Sequence, residues 1–91
     1  MDIEGNISNT FVSILIDPDS NRSYVAPKIV DICKLGKLKH EKPWLFQLSR
    51  GTKQKVSEII KDCEVNLNGF LKKVNLNILP LGSYDVLIGM D

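Results

Sequence analysis

Ninety-one residues make one domain rather than two, since domains run to about 50–250 residues, and a monomer this small is expected to be only modestly stable. Hydrophobic residues at 43% and charged residues at 25% sit near the globular average, which excludes wholesale disorder. Twelve Lys and Arg against eleven Asp and Glu leave a formal charge of +1, too little for a whole-domain field that grips nucleic acid or an anionic membrane.

No basic segment followed by an apolar stretch opens the chain, so no signal peptide is expected. The longest apolar runs, such as Val86-Leu87-Ile88, fall far short of the roughly 18 residues a membrane span needs. Thr10 to Ile16 (TFVSILI) is apolar and β-branched, and reads as a buried strand. It ends abruptly at Asp17-Pro18, because proline cannot donate to a ladder and pushes the residue before it toward an extended conformation. Asp17 to Asn21 is therefore a polar loop leaving a core strand. Pro27 suits the first position of a short helix with Ile29, Val30 and Cys33 on one face, and Gly36 is its expected stop.

Lys34, Lys37, Lys39, His40 and Lys42 then crowd one stretch. It reads as a solvated loop after a helix C-terminus, where cations also suit the dipole. It lacks the interleaved aromatics of a nucleic-acid patch. Trp44 to Leu48 and Lys53 to Lys61 make a hairpin with its turn at Ser49-Arg50-Gly51-Thr52. Cys63, Val65 and Leu67 alternate with polar residues up to Asn68-Gly69, a strong hairpin signal. Phe70, Val74, Leu76 and Ile78 are expected on the inner face of the next strand. Leu79 to Ser83 breaks it, and Asp85 to Gly89 is a short final run. One short helix among many short strands predicts a mostly β, closed or sandwich-like fold.

Cys33 and Cys63 are too few and too far apart for a zinc knuckle or a CxxC site, and no metal or other cofactor is expected. They read as small buried thiols in a reducing compartment, with a disulfide as the alternative. The chain is accordingly expected to be intracellular and cytoplasmic.

Taken together, Phe11 to Asp17 and Ser23 to Val30 resemble the active-site segment of retroviral-type aspartic proteases. Asn77 to Asp91 (NILPLGSYDVLIGMD) is similar to the C-terminal signature of the protease domain in gypsy-type LTR-retrotransposon polyproteins, and is the most specific piece. The resemblance runs from about Asn9 to Asp91. It implies a single retropepsin-like domain over residues 1–91, a closed β-barrel-like monomer with one short helix. Asp17 takes the position of the catalytic aspartate, with one supplied by each copy of a homodimer, and Pro18, Asp19 and Ser20 form the active-site loop. The hairpin tip at Arg50, Gly51 and Thr52 takes the place of the flap over an extended peptide substrate. Neither nucleic acid nor membrane enters as a partner.

By itself, an Asp before Pro at a strand end is a turn residue more often than a catalyst. Only the ordered set of segments carries the protease reading. The family motif is Asp, then Ser or Thr, then Gly, whereas this chain has Asp17-Pro18-Asp19. Pro18 has neither the hydroxyl nor the N–H that would lock the two loops across the dimer axis. Asp19 puts a Cβ and a second carboxylate where the family has glycine, and four carboxylates near one axis should repel at neutral pH. In the family the signature leads into a short helix and an interface strand. On this reading both are missing after Asp91, and a monomer or a differently held dimer is expected. Two functions follow from the motif: an aspartic endopeptidase that processes a retroelement polyprotein, or a catalytically impaired module that binds peptide or dimerises. A basic-loop nucleic-acid binder rests on Lys34–Lys42 alone.

Overall fold

The computed structural model describes residues 1–47 and 51–90. The strands are β1 (Asp2–Ile7), β2 (Thr10–Ile16), β3 (Ser23–Val25), β4 (Leu38–Gln47), β5 (Lys53–Leu67), β6 (Phe70–Ile78) and β7 (Val86–Ile88). Helix α1 (Pro27–Cys33) lies between β3 and β4. In sheet order β1-β2-β7-β3-β6-β5 the strands close on themselves, because β1 also pairs with β5 at Asn6 and Asn66. Among the described residues, strand β4 joins the outside of this ring through β5 alone. The fold is the mostly β closed barrel with one short helix that the sequence reading expects.

Two tight turns set the registers. Ser8 and Asn9 both take positive φ (49° and 67°) between the paired residues Ile7 and Thr10. Asn68 and Gly69 do the same (55° and 95°) between Leu67 and Phe70, a twist that matches the strands they join. Barrel closure depends on Gly5. A Cβ there would overlap the Asn66 carbonyl oxygen and stand 2.7 Å from Ile14 Cδ1, so only glycine lets β1 cross β5 this closely. The enclosed core holds Ile7, Val12, Ile14, Val25, Ile60, Val65, Leu76, Val86 and Ile88, and α1 packs Ile29 and Val30 against it. Asp85 ties three elements together. Its Oδ2 accepts from the Ser13 N–H at 2.9 Å in β2, its own N–H reaches back to the Ser13 carbonyl at 3.1 Å, and Lys28 of α1 lies 3.3 Å from Oδ1.

Several expectations are corrected. Strand β1 goes unpredicted, although Ile3, Gly5 and Ile7 turn inward along it. The helix stops at Lys34 rather than Gly36: Lys34 adopts the left-handed conformation (φ 52°, ψ 47°), and its N–H returns to the Val30 and Asp31 carbonyls. The lysine-rich stretch is a loop only to Lys37, since β4 starts at Leu38. Lys53–Lys61 and Cys63–Leu67 form one long strand, bent at Asp62 (φ 53°), where the register shifts between Ile60 and Cys63. Phe70 sits beside the hairpin turn and is 68% exposed, so it is not on the inner face; Val74 and Leu76 are buried as expected.

Candidate active site

Strand β2 delivers Asp17 to the end of the barrel. Pairing of Ile16 with Ile88 in parallel β7 runs on into a hydrogen bond from the Asp17 N–H to the Ile88 carbonyl, 2.9 Å. The next four residues form a β-turn with Asp first and Pro second, closed by the Ser20 N–H on the Asp17 carbonyl at 3.2 Å. The Asp17 carboxylate shapes the same turn, accepting from the Asp19 N–H at 3.0 Å through Oδ1. Asp17 is half-buried, while Pro18 and Asp19 are exposed. The locus thus presents one carboxylate held by local bonds at a strand end, with a second carboxylate two residues on.

The loop is anchored on its far side by the chain after β7. Met90 N–H donates to the Ser20 carbonyl at 2.7 Å, and Gly89 N–H donates to Ser23 Oγ at 3.0 Å. Gly89 lies so close beneath the loop that a Cβ would overlap the Arg22 carbonyl oxygen and stand 2.6 Å from that of Ser20. Ser20 does not replace the missing hydroxyl lock within the chain, because its Oγ donates to the Arg22 carbonyl at 2.7 Å.

The β4–β5 hairpin forms as expected, its last described pair being Gln47 with Lys53. Gly51 (φ 81°) and Thr52 are exposed; Arg50, the third residue of the expected flap, lies outside the described residues. Under the hairpin lies a second apolar cluster of Tyr24, Val56 and Leu79, against which Trp44, Phe46, Leu81 and Leu87 pack half-buried. Tyr24 and Phe46 meet edge to face, with centroids 5.4 Å apart.

Four residues at this end carry no signal in the sequence reading as a group. The Arg22 guanidinium stacks 4.0 Å from the centroid of the Trp44 ring. The His40 ring meets Trp44 edge-on at 4.9 Å, and its Nε2 lies 2.7 Å from Asn77 Oδ1. Buried Asn77 donates through Nδ2 to the Ser23 carbonyl at 3.1 Å. His40, alone in the sequence, is therefore engaged in a structural contact with Asn77. Asn77 could have been noticed as a polar residue inside an apolar run, but its partners are 37 and 54 positions away.

The cysteines stand away from this site. Cys33 and Cys63 are free thiols. Burial pushes the Cys63 thiol up, with Cys33 and Glu64 nearby adding to the shift. Among the described residues, no three His, Cys, Asp or Glu side chains gather as a metal site.

The profile of the retroviral aspartyl protease family matches residues 3–91. No curated protein sequence matches the chain. Among solved structures, the retroviral protease-like domain of Ddi1 from Leishmania major superposes with a TM-score of 0.70 at 16% identity, covering 98% of this chain and 70% of that one. Lpg0085 (DUF785) of Legionella pneumophila, a protein of unknown function, superposes at 0.60 with 9% identity, covering 99% and 80%. At these identities the two structures speak to the fold, and the family rests on the profile. The chain belongs to the retroviral aspartyl protease family.

Proposed function

We propose that this member of the retroviral aspartyl protease family is an aspartic endopeptidase whose active site forms when two copies bring their Asp17 residues together. The observation that carries the reading is Asp17 itself, half-buried in a turn at the end of β2 and pinned by the Ile88 carbonyl in a chain of this family. Two carboxylates a few Å apart cannot easily both ionise, so they share one proton. The ionised member takes a proton from water, which attacks the scissile carbonyl, while the protonated member donates to the carbonyl oxygen. Two-fold symmetry makes one Asp per chain sufficient. An extended peptide would lie between this loop and the β4–β5 hairpin, whose tip at Gly51 serves as the flap, and pair as an added strand. The substrate class is a retroelement polyprotein of the gypsy type, supported by the Asn77–Asp91 signature. The setting is a reducing cytoplasm, in keeping with the two free thiols.

A second reading, a peptide-binding or dimerising module of impaired activity, is favoured by the motif. Pro18 offers no hydroxyl for a cross-axis bond, and the Asp19 N–H is spent on Asp17 Oδ1. The test is cleavage of a polyprotein-derived peptide at acidic and neutral pH by the natural chain and by the double variant Pro18→Ser, Asp19→Gly. Because both changes act on preorganisation of the dyad, cleavage is expected to rise about ten-fold or more, most at neutral pH. Equal rates would contradict this account of Pro18 and Asp19. Absence of cleavage by either, with both dimeric, would favour the impaired module.

A further inference from the structure

Strand β4 is the outermost strand, hydrogen-bonded among the described residues to β5 alone, and its ladder lapses between Lys39 and Trp44, where Pro43 can donate nothing. Beyond the lapse the hairpin is held by its ladder with β5 and by Trp44 and Phe46 on the Tyr24, Val56 and Leu79 cluster, and polar contacts at the lapse add to these. His40 lies within the lapse and Trp44 at its end; Trp44 meets Arg22 at the close of the Asp17 loop, and His40 reaches Ser23, the first residue of β3, through Asn77 of β6. Trp44 lies under Arg22, with the guanidinium 4.0 Å from the ring centroid. His40 bonds to Asn77 at 2.7 Å, and Asn77 bonds to the Ser23 carbonyl at 3.1 Å. Asn77 Nδ2 is committed to that carbonyl, so Oδ1 is the atom facing the imidazole, and Nε2 must carry the proton between them. The edge-on contact of His40 with Trp44 at 4.9 Å joins the two arms.

We propose that Arg22, Trp44, His40, Asn77 and Ser23 form a clasp that positions the β4–β5 hairpin over the Asp17 loop of the same chain. Arg22 and Trp44 form one arm, the exposed guanidinium lying over the half-buried ring. His40 and Asn77 form the other, reaching the buried base. These are positioning residues, and the proposal rests on the endopeptidase reading only where it concerns turnover. In that setting the clasp holds the hairpin ready for an incoming peptide, so its loss weakens substrate capture and leaves the chemical step at Asp17 in place.

The experiment compares the natural chain with Arg22→Met, which keeps a long apolar stem without the cation, and Arg22→Lys, which keeps the cation. Trp44 is the single tryptophan, so intrinsic emission reports this ring alone. In Arg22→Met its emission is expected to move to the red, and amide exchange at Leu45, Phe46 and Gln54 to quicken about two- to five-fold, the size of one exposed cation–π contact. Exchange at Val12 and Ile14 in the barrel should not change. Arg22→Lys should recover most of both signals. In peptide cleavage, Arg22→Met should raise KM by about the same factor with kcat held. If the chain cleaves nothing, the endopeptidase reading fails, and emission and exchange still decide the clasp. Unchanged hairpin exchange in Arg22→Met, or an equal rise in the barrel, would overturn it.

Discussion

Replacing Asp17 with Asn is expected to abolish peptide cleavage, with a fall of at least about 10²–10⁴-fold, the usual weight of a positioned acid–base group. The amide is nearly isosteric, and its Oδ1 can still accept from the Asp19 N–H that shapes the turn. The fold should therefore survive with its melting temperature little changed. What disappears is the proton chemistry: an amide can neither take a proton from water nor share one with its partner. Asp19→Asn is the comparison. Asp19 is exposed and holds the turn through its backbone, so removing its charge should leave cleavage intact at acidic pH and raise it at neutral pH. Matched activities of natural chain and Asp17→Asn would mean that the cleavage belongs to a contaminant or to another residue.

A large stability loss is expected at Gly89, in the chain beneath the Asp17 loop. Its φ is ordinary, and the constraint is space, since the Ser20 and Arg22 carbonyls occupy the volume a Cβ needs. Backbone oxygens cannot rotate away as a side-chain tip can. Gly89→Ala must therefore push the chain after β7 off the Asp17 loop, stretching the Met90–Ser20 and Gly89–Ser23 hydrogen bonds. The expected cost is about 3 kcal/mol or more. For a domain of this size that lowers Tm by roughly 12–24 °C. Gly36→Ala serves as the control, because nothing lies within 4 Å of a Cβ there and its backbone is not left-handed. Thermal melts of the two variants check the prediction, and a Gly89→Ala melt that coincides with that of Gly36→Ala would contradict it. The effect should also reach activity, since the loop that moves is the one that carries Asp17.

The parts of the fold legible in the sequence are those fixed by neighbours along the chain. The end of β2 at Asp17-Pro18, the helix start at Pro27 and the turn at Asn68-Gly69 each follow from the backbone preferences of two or three residues. The parts that escaped are set by distant partners. Gly5 reads as an unremarkable residue until Asn66 comes to lie against it. The first part of strand β4, Leu38 to Pro43, lacks alternation because most of its side chains face solvent, so its lysines resemble a loop. Lys34 takes the left-handed position expected of Gly36 because the helix runs out of fully buried residues after Val30 and ends two residues before the glycine. The placement of Asp17 in a turn at the end of a buried strand was legible from Thr10–Ile16 and Pro18. Arg22, His40 and Asn77 were not, since each draws its role from a contact across the sheet.

The central claim is that one chain supplies half of an active site. A pepstatin-type inhibitor places a hydroxyl where the tetrahedral intermediate would stand, and so binds an assembled dyad in preference to a lone carboxylate. Titrating it calorimetrically into the natural chain, with sedimentation equilibrium on the same samples, measures assembly and site together. The account predicts one inhibitor bound per two chains, a shift of the chain toward dimer on binding, and no binding to Asp17→Asn; one inhibitor per single chain, or undiminished binding to Asp17→Asn, would contradict it.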